Sequence, residues 1–155
     1  MSDVSEKILA LLRQYDVPHR VMDHPAVFTS EEAARVRGTK LEQAAKALVF
    51  WADGSPLLFV VPGDRRVDTK AFKKLNRVKD LRMATREEVE EMTGLTPGSI
   101  PPFGRLFGLP VYFDEALLTH DRVVFNAGSH TRSIEMPPQS LVCINEATVG
   151  NYSCY

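Results

Sequence analysis

The 155-residue sequence predicts a single α+β domain, residues 1–155, in which helices pack against a mixed β-sheet. Three observations lead to this fold class. Amphipathic helical segments alternate with short apolar strands along the chain. Several of those strands are joined by hairpins, whereas a doubly wound parallel sheet needs a helix between successive strands. No internal repeat, low-complexity tract or linker divides the chain.

The N-terminal third predicts two helices and a strand. The first helix has apolar residues at helical spacing and ends at residues 16–18; they are Val4, Ile8, Leu11, Leu12 and Tyr15. Residues 19–23 follow as a short strand. Thr29 and Glu32 form a capping box for a helix that ends at Gly38. A second pair, Thr39 and Glu42, opens a further helical turn.

The central third predicts a β-hairpin and two helices. Residues 46–52 and 56–61 are apolar runs joined by the turn signal Asp53-Gly54. Asp68 caps a helix whose expected core face is Ala71, Phe72, Leu75 and Val78. A short strand at residues 81–84 precedes a last central helix, capped by Thr85 and Glu88 and closed by Gly94.

The C-terminal third begins with a long loop, residues 94–104. A strand at 111–114 and a helical turn at 115–118 follow it. Residues 122–125 and 131–136 pair as a hairpin, and Pro137-Pro138 begins a final helix, because proline is favoured at a helix start.

Composition narrows the class of protein. No apolar run approaches the roughly 20 residues that cross a bilayer, and the N-terminus lacks the pattern of a secretory signal, so we expect a cytoplasmic protein. The two cysteines, Cys143 and Cys154, form neither a disulfide framework nor a C-x-x-C pair. We interpret them as a buried small residue and a thiol near the C-terminus.

Charge is unevenly distributed. The net charge is −1, yet residues 65–82 carry eight basic and two acidic side chains. Four of the basic residues fall on one face of the predicted helix, namely Lys70, Lys73, Lys74 and Arg77. Such a stripe is either a solvated helix face or a surface for an RNA backbone.

Two features can carry chemistry. Lys46 starts an apolar strand on the same face as Leu48 and Phe50, so its ammonium either extends to water or clamps an anion. The loop at 94–104 contains three glycines and three prolines. It is either a proline-rich connection or a rigid main-chain cradle for an oxyanion.

Common catalytic and metal motifs are missing from the sequence. His19 and His24 point to opposite faces of a strand, and His120 and His130 have no partner at ligand spacing, so we expect no metal and no cofactor. There is also no G-x-S-x-G, P-loop or G-x-G-x-x-G pattern. His130 is either a turn residue or a pocket residue.

Three segments together resemble the YbaK/EbsC family, whose members are free-standing relatives of the editing (INS) domain of bacterial prolyl-tRNA synthetases. The segments are QAAKALVF around Lys46, TGLTPGSIPPFG with Gly98 and Pro102, and VFNAGSHTRSIEMPPQSL. The resemblance covers roughly residues 5 to 150 in the same order. It implies a mixed sheet, partly closed like a barrel and surrounded by helices.

The resemblance also implies a function: hydrolysis of the ester bond of a mischarged aminoacyl-tRNA. Lys46 would contact the 3′-terminal nucleotide, and Gly98, Ser99, Ile100 and Pro102 would shape the aminoacyl pocket with main-chain groups. The remaining pocket residues by approximate alignment are Met22, Phe28, Asn126, His130 and Ser133. Partners would be the acceptor end of the tRNA and, in a complex, a cognate synthetase, without a membrane or a metal.

The resemblance leaves the amino acid open. Ser133 departs from the cysteine-specific branch, and the loop at 98–102 is closer to the alanine-type branch, whereas the Arg-Ser-Ile-Glu-Met segment is typical of neither. We expect tRNA-Pro carrying alanine, cysteine or another small amino acid. Two other functions stay open: a non-catalytic module that binds tRNA or a regulatory nucleotide, and an unrelated small-molecule hydrolase.

Overall fold

The computed structural model describes residues 3–155. Within them, the five α-helices α1–α5 span Asp3–Gln14, Ser30–Arg37, Thr69–Asn76, Arg86–Thr93 and Pro138–Asn145. The ten strands β1–β10 span Arg20–Asp23, Ala45–Ala52, Ser55–Pro62, Arg66–Val67, Leu81–Met83, Val111–Asp114, Val123–Asn126, Arg132–Met136, Thr148–Gly150 and Ser153–Cys154. Short 3-10 helices lie at Leu41–Gln43, Pro97–Ser99, Gly104–Phe107 and Glu115–Thr119.

The strands form three sheets. The largest has the order β5-β2-β3-β6-β9, with antiparallel pairs among β5, β2 and β3 and parallel pairs among β3, β6 and β9. A second, antiparallel sheet has the order β1-β8-β7, and β4 pairs with β10. The α+β class and the mixed sheet are confirmed. The described strands do not close into a barrel; one bridge, Ala44 to Val124, joins the two larger sheets.

The hairpin of β2 and β3 positions Lys46. Its turn residues Asp53 and Gly54 both have positive φ, 47° and 83°, as the tightest hairpin turns require. The eight residues of β2 pair in register with the eight of β3, so Lys46 lies opposite Val61. The predicted hairpin is therefore confirmed to within one residue at each end.

The largest sheet separates two apolar clusters because successive side chains of β2 point to opposite faces. Ala47 and Val49 join the larger cluster, which includes Ile8 of α1 and Leu141 of α5. Leu48 and Phe50 face the smaller, aromatic cluster around Phe59, Phe72 and Tyr152. Lys46 stands on this second face by the same alternation.

Most of the predicted helix caps are confirmed. The Thr29 side chain accepts from the Glu32 N–H, Thr85 and Glu88 form a reciprocal capping box, and Gly38 and Gly94 end their helices with positive φ. The second predicted cap, at Thr39, was wrong. Lys40 precedes the 3-10 turn there, and its N–H donates to the Gln43 side chain, an interaction that competes with a threonine cap.

The predicted core face of α3 was half wrong. Phe72 is buried, but Ala71 is exposed and Leu75 is 76% exposed. The helix ends after two turns because Arg77 takes a left-handed conformation with φ of 54°. Val78 then reaches the aromatic cluster from the following loop, and Phe72 is the buried contact of the helix.

Strands β4, β9 and β10 were not predicted, since two or three residues are too few to show alternation. Cys143 is exposed, contrary to its interpretation as buried, because it lies on the outer side of α5, away from Leu141 and Ile144. The helices within residues 3–155 are all too short or too polar to cross a bilayer.

Candidate functional site

A cavity of about 280 Å³ opens where β2, α2, the loop at 94–104 and β7 meet. It includes Lys46 and the glycine-proline loop in one site, although 52 positions separate Lys46 from Gly98 in the chain. Its walls contain both apolar and polar groups, among them Phe28, Arg37, Lys46, Gly98, Ile100 and Asn126.

Lys46 is half-buried at the wall of this cavity. Its Nζ donates a 2.7 Å hydrogen bond to the main-chain oxygen of Arg65. Burial lowers the pKa of the Lys46 ammonium below its ordinary value, and the carboxylates of Asp64 and Glu31 oppose that shift. An ammonium has three donors. Arg65 therefore fixes the direction of the side chain and leaves donors for an anionic ligand.

The loop presents fewer main-chain donors than the sequence suggests. In the 3-10 turn at Pro97–Ser99, the Ser99 N–H donates to the Thr96 oxygen at 3.0 Å and the Ile100 N–H to the Pro97 oxygen at 3.5 Å. The Gly98 N–H belongs to the first turn, where no acceptor is available within the helix. Among Gly98, Ser99 and Ile100, the Gly98 N–H is the one that these turn hydrogen bonds leave unused, so it is the candidate main-chain donor to the cavity.

The other loop residues support this turn. Ile100 lines the cavity with its side chain, whereas Ser99 is buried and its hydroxyl donates to the Thr96 oxygen at 3.0 Å. Pro102 is also buried, and its carbonyl oxygen accepts from the Asn145 side chain of α5 at 2.9 Å. Ser99 and Pro102 therefore do not line the cavity, and their hydrogen bonds hold the loop in place.

Arg37, at the end of α2, is a wall residue that the sequence reasoning missed. Its guanidinium donates from Nη2 to Asn126 Oδ1 and from Nε to Ser133 Oγ, both at 2.8 Å. Asn126 in turn donates from Nδ2 to the main-chain oxygen of Gly98 at 2.8 Å. Asn126 and Ser133 were predicted as pocket residues; Asn126 lines the cavity, and Ser133 lies behind Arg37.

The network extends from Ser133 to His24. His24 Nδ1 lies 2.9 Å from the Pro25 oxygen and Nε2 lies 2.7 Å from Ser133 Oγ. Because a carbonyl oxygen can only accept, Nδ1 carries a proton, and in the neutral imidazole Nε2 then accepts from the Ser133 hydroxyl. Ser133 is then free to accept from Arg37, so every hydrogen bond from His24 to Gly98 has a consistent direction.

His130, predicted as a pocket residue, does not line the cavity, but it lies next to Val27 and Gly98, which do. Its Nδ1 lies 3.0 Å from the Val27 oxygen and its Nε2 lies 3.0 Å from Thr96 Oγ1. Phe28, 72% exposed at the mouth, packs on the His130 ring with centroids 4.8 Å apart. Met22 is half-buried on β1 but does not line the cavity; its sulfur accepts from Arg20.

The basic stripe lies outside the cavity: Lys70, Lys73 and Lys74 are on α3, whereas Arg77, predicted to continue the helix, is its left-handed C-cap. Lys70, Lys74 and Arg77 are exposed, and Lys73 is half-buried. Asp68 caps this helix, three residues after Arg65, whose main-chain oxygen holds Lys46. The stripe therefore continues along the chain from the segment that positions the lysine.

Electrostatically the cavity is cationic. Arg37 and Lys46 contribute to its wall, and its lining contains no Asp or Glu. Within residues 3–155 no group of three or more His, Cys, Asp or Glu is arranged to hold a metal ion. The arrangement suits a small ligand that carries negative charge or develops it during reaction.

A signal for Arg37 was present in the sequence. It lies four residues after Ala33, at the i+4 position, and both side chains are buried on the inner face of α2. A cation at a core position of an amphipathic helix indicates a charged group with a specific partner. That partner is not visible in the sequence because Asn126 lies 89 residues further along.

Comparison with known proteins gives a consistent family. Residues 24–143 match the model of the aminoacyl-tRNA editing domain. The multifunctional Ser/Thr-tRNA deacylase ProXp-y of Escherichia coli strain K12 is 31% identical over 154 residues, covering 95% of this chain and 91% of the relative. The proline–tRNA ligase of Solidesulfovibrio magneticus is 40% identical over 102 residues, which cover 64% of this chain and 17% of the ligase.

Among solved structures, one described as "a putative trans-editing enzyme for prolyl tRNA synthetase" superposes with a TM-score of 0.86 and 31% sequence identity. The match covers 100% of this chain and 99% of that one. The likeness therefore extends over the whole fold.

Proposed function

The chain belongs to the aminoacyl-tRNA editing domain family, and from this premise we propose that it hydrolyses the ester bond of mischarged aminoacyl-tRNA in the cytoplasm. One observation carries the proposal: Lys46 and Gly98 line the same small cavity. A cationic anchor and a rigid main-chain donor at one site are what an acylated 3′ end requires, because it combines a phosphate with an ester carbonyl.

The reaction needs little side-chain chemistry because an aminoacyl ester is already activated. Lys46 would hold the terminal phosphate, and the Gly98 N–H would point toward the ester carbonyl oxygen. The neighbouring ribose hydroxyl would help to position the attacking water. Lys46 and Gly98 thus act mainly by orientation and by stabilising developing charge.

The size of the cavity favours a small amino acid. About 280 Å³ is at or below the lower end of the range for drug-sized ligands. The Escherichia coli relative is named for serine and threonine, and the family resemblance leaves alanine, cysteine or another small amino acid on tRNA-Pro open. We propose that the substrate is a tRNA, such as tRNA-Pro, that carries one of these small residues.

The basic stripe is a candidate surface for the tRNA backbone. Lys70, Lys74 and Arg77 are exposed, and the stripe begins close in sequence to the segment that holds Lys46. A tRNA whose 3′ end enters the cavity would bring phosphates along this side of the molecule. A cognate synthetase is a candidate partner, since the family domain also occurs within proline–tRNA ligases.

The test is a deacylation assay with tRNAs charged with Ala, Ser, Thr, Cys and Pro. We expect wild-type protein to release at least one small amino acid and Lys46→Ala to reduce that rate strongly. Lys40→Ala is the matched control, because Lys40 is exposed and outside the cavity. A rate unchanged in Lys46→Ala would reject the anchoring role.

Binding without hydrolysis would instead support the non-catalytic module. In that outcome the charged tRNA protects the protein from thermal unfolding but keeps its amino acid throughout the incubation. Hydrolysis of free amino-acid esters at the same rate as the charged tRNA would favour an unrelated small-molecule hydrolase.

A further inference from the structure

Arg37 is a charged residue in an environment that does not neutralise it. The residue is buried, with only 8% of its surface exposed. No carboxylate of residues 3–155 lies within ion-pair distance of the guanidinium. Burial lowers the pKa of Arg37 to about 10. Keeping a buried charge without a counter-ion costs stability, so its retention calls for a functional reason.

The guanidinium still has donors to offer. A guanidinium has five N–H groups. One from Nε goes to Ser133 and one from Nη2 goes to Asn126, and these two bonds fix the plane of the group. Nη1 has no hydrogen-bond partner among the described residues, and it is not among the buried polar atoms that are sealed from solvent. Since Arg37 lines the cavity, we assign Nη1 to that side.

The loop itself supplies few donors for a developing anion. The Ser99 and Ile100 N–H groups are engaged within their own turn. Lys46 of β2 gives one of its three donors to the Arg65 main-chain oxygen, and the proposed function assigns the others to the terminal phosphate. The Gly98 N–H alone would leave the cradle one donor short of the usual pair at an oxyanion.

We propose that Arg37 is a catalytic residue that forms an anion subsite with the Gly98 N–H. This subsite binds the carbonyl oxygen of the ester as it becomes negatively charged, and afterwards the carboxylate of the released amino acid. The proposal rests on the proposed deacylase function, and it extends that function by assigning the charge-stabilising role to a side chain.

The reaction step balances without a cofactor. A water oxygen bonds to the carbonyl carbon, and the π electrons of the carbonyl bond move to the carbonyl oxygen. Arg37 donates a hydrogen bond to this oxygen as it becomes negatively charged. When this oxyanion collapses, the bond from carbon to the ribose oxygen breaks. The ribose oxygen takes one proton of the water, and the second proton is lost to solvent. The products are a free ribose hydroxyl and an amino-acid carboxylate.

The binding test uses the product and needs no tRNA. L-alanine and L-alaninamide differ in the carboxylate, so they form a matched pair of probes. We expect L-alanine to shift the NMR signal of the Arg37 Nε–H in wild-type protein and L-alaninamide to leave it in place. Equal shifts with both probes, or no shift up to about 100 mM alanine, would overturn the subsite.

Adenosine 5′-monophosphate distinguishes the two cations of the cavity. It supplies a phosphate for Lys46 and no carboxylate. We expect it to perturb Lys46 and to bind together with L-alanine. Competition between the two probes for Arg37 would mean that the arginine binds the terminal phosphate, and this outcome would also overturn the proposal.

Kinetics test catalysis separately. Arg37→Gln preserves a donor for Asn126 but removes the charge, and Arg37→Lys preserves the charge. We expect Arg37→Gln to lower the single-turnover rate by about 10²–10³-fold with little change in KM, the usual cost of losing one oxyanion donor. Arg37→Lys should keep more activity than Arg37→Gln. Equal losses in the two variants would mean that Arg37 acts by shape alone.

Stability and a neighbouring arginine provide the controls. Arg35 is exposed on the same helix, so Arg35→Gln should retain the wild-type rate. The unfolding temperature of Arg37→Gln should not fall, because the variant loses a buried charge together with its desolvation cost. If wild-type protein deacylates no tRNA but L-alanine still shifts Arg37, the proposed function fails while the anion subsite stands.

Discussion

Asn126 donates from Nδ2 to the main-chain oxygen of Gly98 while its Oδ1 accepts from Arg37, and both hydrogen bonds are 2.8 Å long. One amide thus connects the charged wall of the cavity to the glycine of the loop. Because the Ser99 N–H of the same peptide unit donates to Thr96, that peptide is held at both its oxygen and its nitrogen. The orientation of the loop is set before any ligand binds.

Asn126→Asp is therefore expected to be more damaging than Asn126→Ala. The aspartate has the same shape, but it repels the Gly98 oxygen and places a carboxylate next to Arg37, whose charge it neutralises. Alanine removes the support of Gly98 and leaves the arginine charged. Single-turnover deacylation rates should fall in the order wild type, Asn126→Ala, Asn126→Asp.

The control for this comparison is Asn151→Asp. Asn151 is exposed and lies outside the cavity, so the same change of charge there should leave the rate unaltered. An Asn126→Asp variant as active as wild type would show that neither the charge of Arg37 nor the Gly98 contact matters for hydrolysis.

Gly98→Ala should reduce deacylation without unfolding the protein. Its backbone is outside the positive-φ region, so alanine can adopt it, but the new Cβ would lie 3.1 Å from His130 Cε1. The imidazole is held by Val27 and Thr96, so the loop, not the ring, is expected to shift. The shift needed is a few tenths of an ångström, less than the misplacement of about 1 Å that can cost about 100-fold, so we expect the rate to fall by about 10-fold or less. Unchanged kinetics at an unchanged unfolding temperature would contradict the proposed role of the Gly98 main chain.

Removing the basic stripe should lower the affinity for tRNA and make that affinity less sensitive to salt concentration. In the triple variant Lys70→Ala, Lys73→Ala, Lys74→Ala, each lost phosphate contact should reduce the slope of log K against log salt by about 0.7–0.9. Filter binding across a range of salt concentrations measures this slope.

A matched triple variant removes three exposed cations elsewhere, Arg13, Arg35 and Lys40, at the same change in net charge. Equal slopes for the two triple variants would mean that the stripe is an ordinary solvated face and that the tRNA body docks elsewhere.

Glu88 should stabilise the fold at neutral pH but not in strong acid. Hydrogen bonds from Arg82 and from the Thr85 N–H lower the pKa of Glu88 to about 2. Between about pH 2 and pH 4.5, Glu88 is protonated in the unfolded chain and ionised in the folded protein. Its contribution is therefore complete above about pH 4.5 and lost as the pH falls toward 2.

Urea unfolding as a function of pH measures the effect. Glu88→Gln should be less stable than wild type at pH 7, and the difference should vanish near pH 2. Glu87→Gln, in the same first turn of α4 but without the Arg82 contact, should differ less from wild type at every pH. A difference for Glu88→Gln that is independent of pH would contradict the lowered pKa.

Local sequence signals predicted most of the elements, and the failures share one cause. The hairpin turn at Asp53-Gly54 and the capping box of Thr85 and Glu88 depend on neighbours within a few residues, so they could be read directly. The exposure of Leu75 could not be predicted in this way, because it depends on where α3 ends and how that helix packs on the sheet.

The sequence by itself determined the fold class, the position of Lys46 on an apolar strand, the stiffness of the loop around Gly98, and the family. Only the tertiary structure decided which of these groups meet and what Arg37 does. The network from His24 through Ser133, Arg37 and Asn126 to Gly98 joins residues up to 109 positions apart. These contacts arise because the fold brings Arg37, at the end of α2, next to Asn126 of β7 and Ser133 of β8. No periodicity or local propensity encodes the direction of a side chain across that distance.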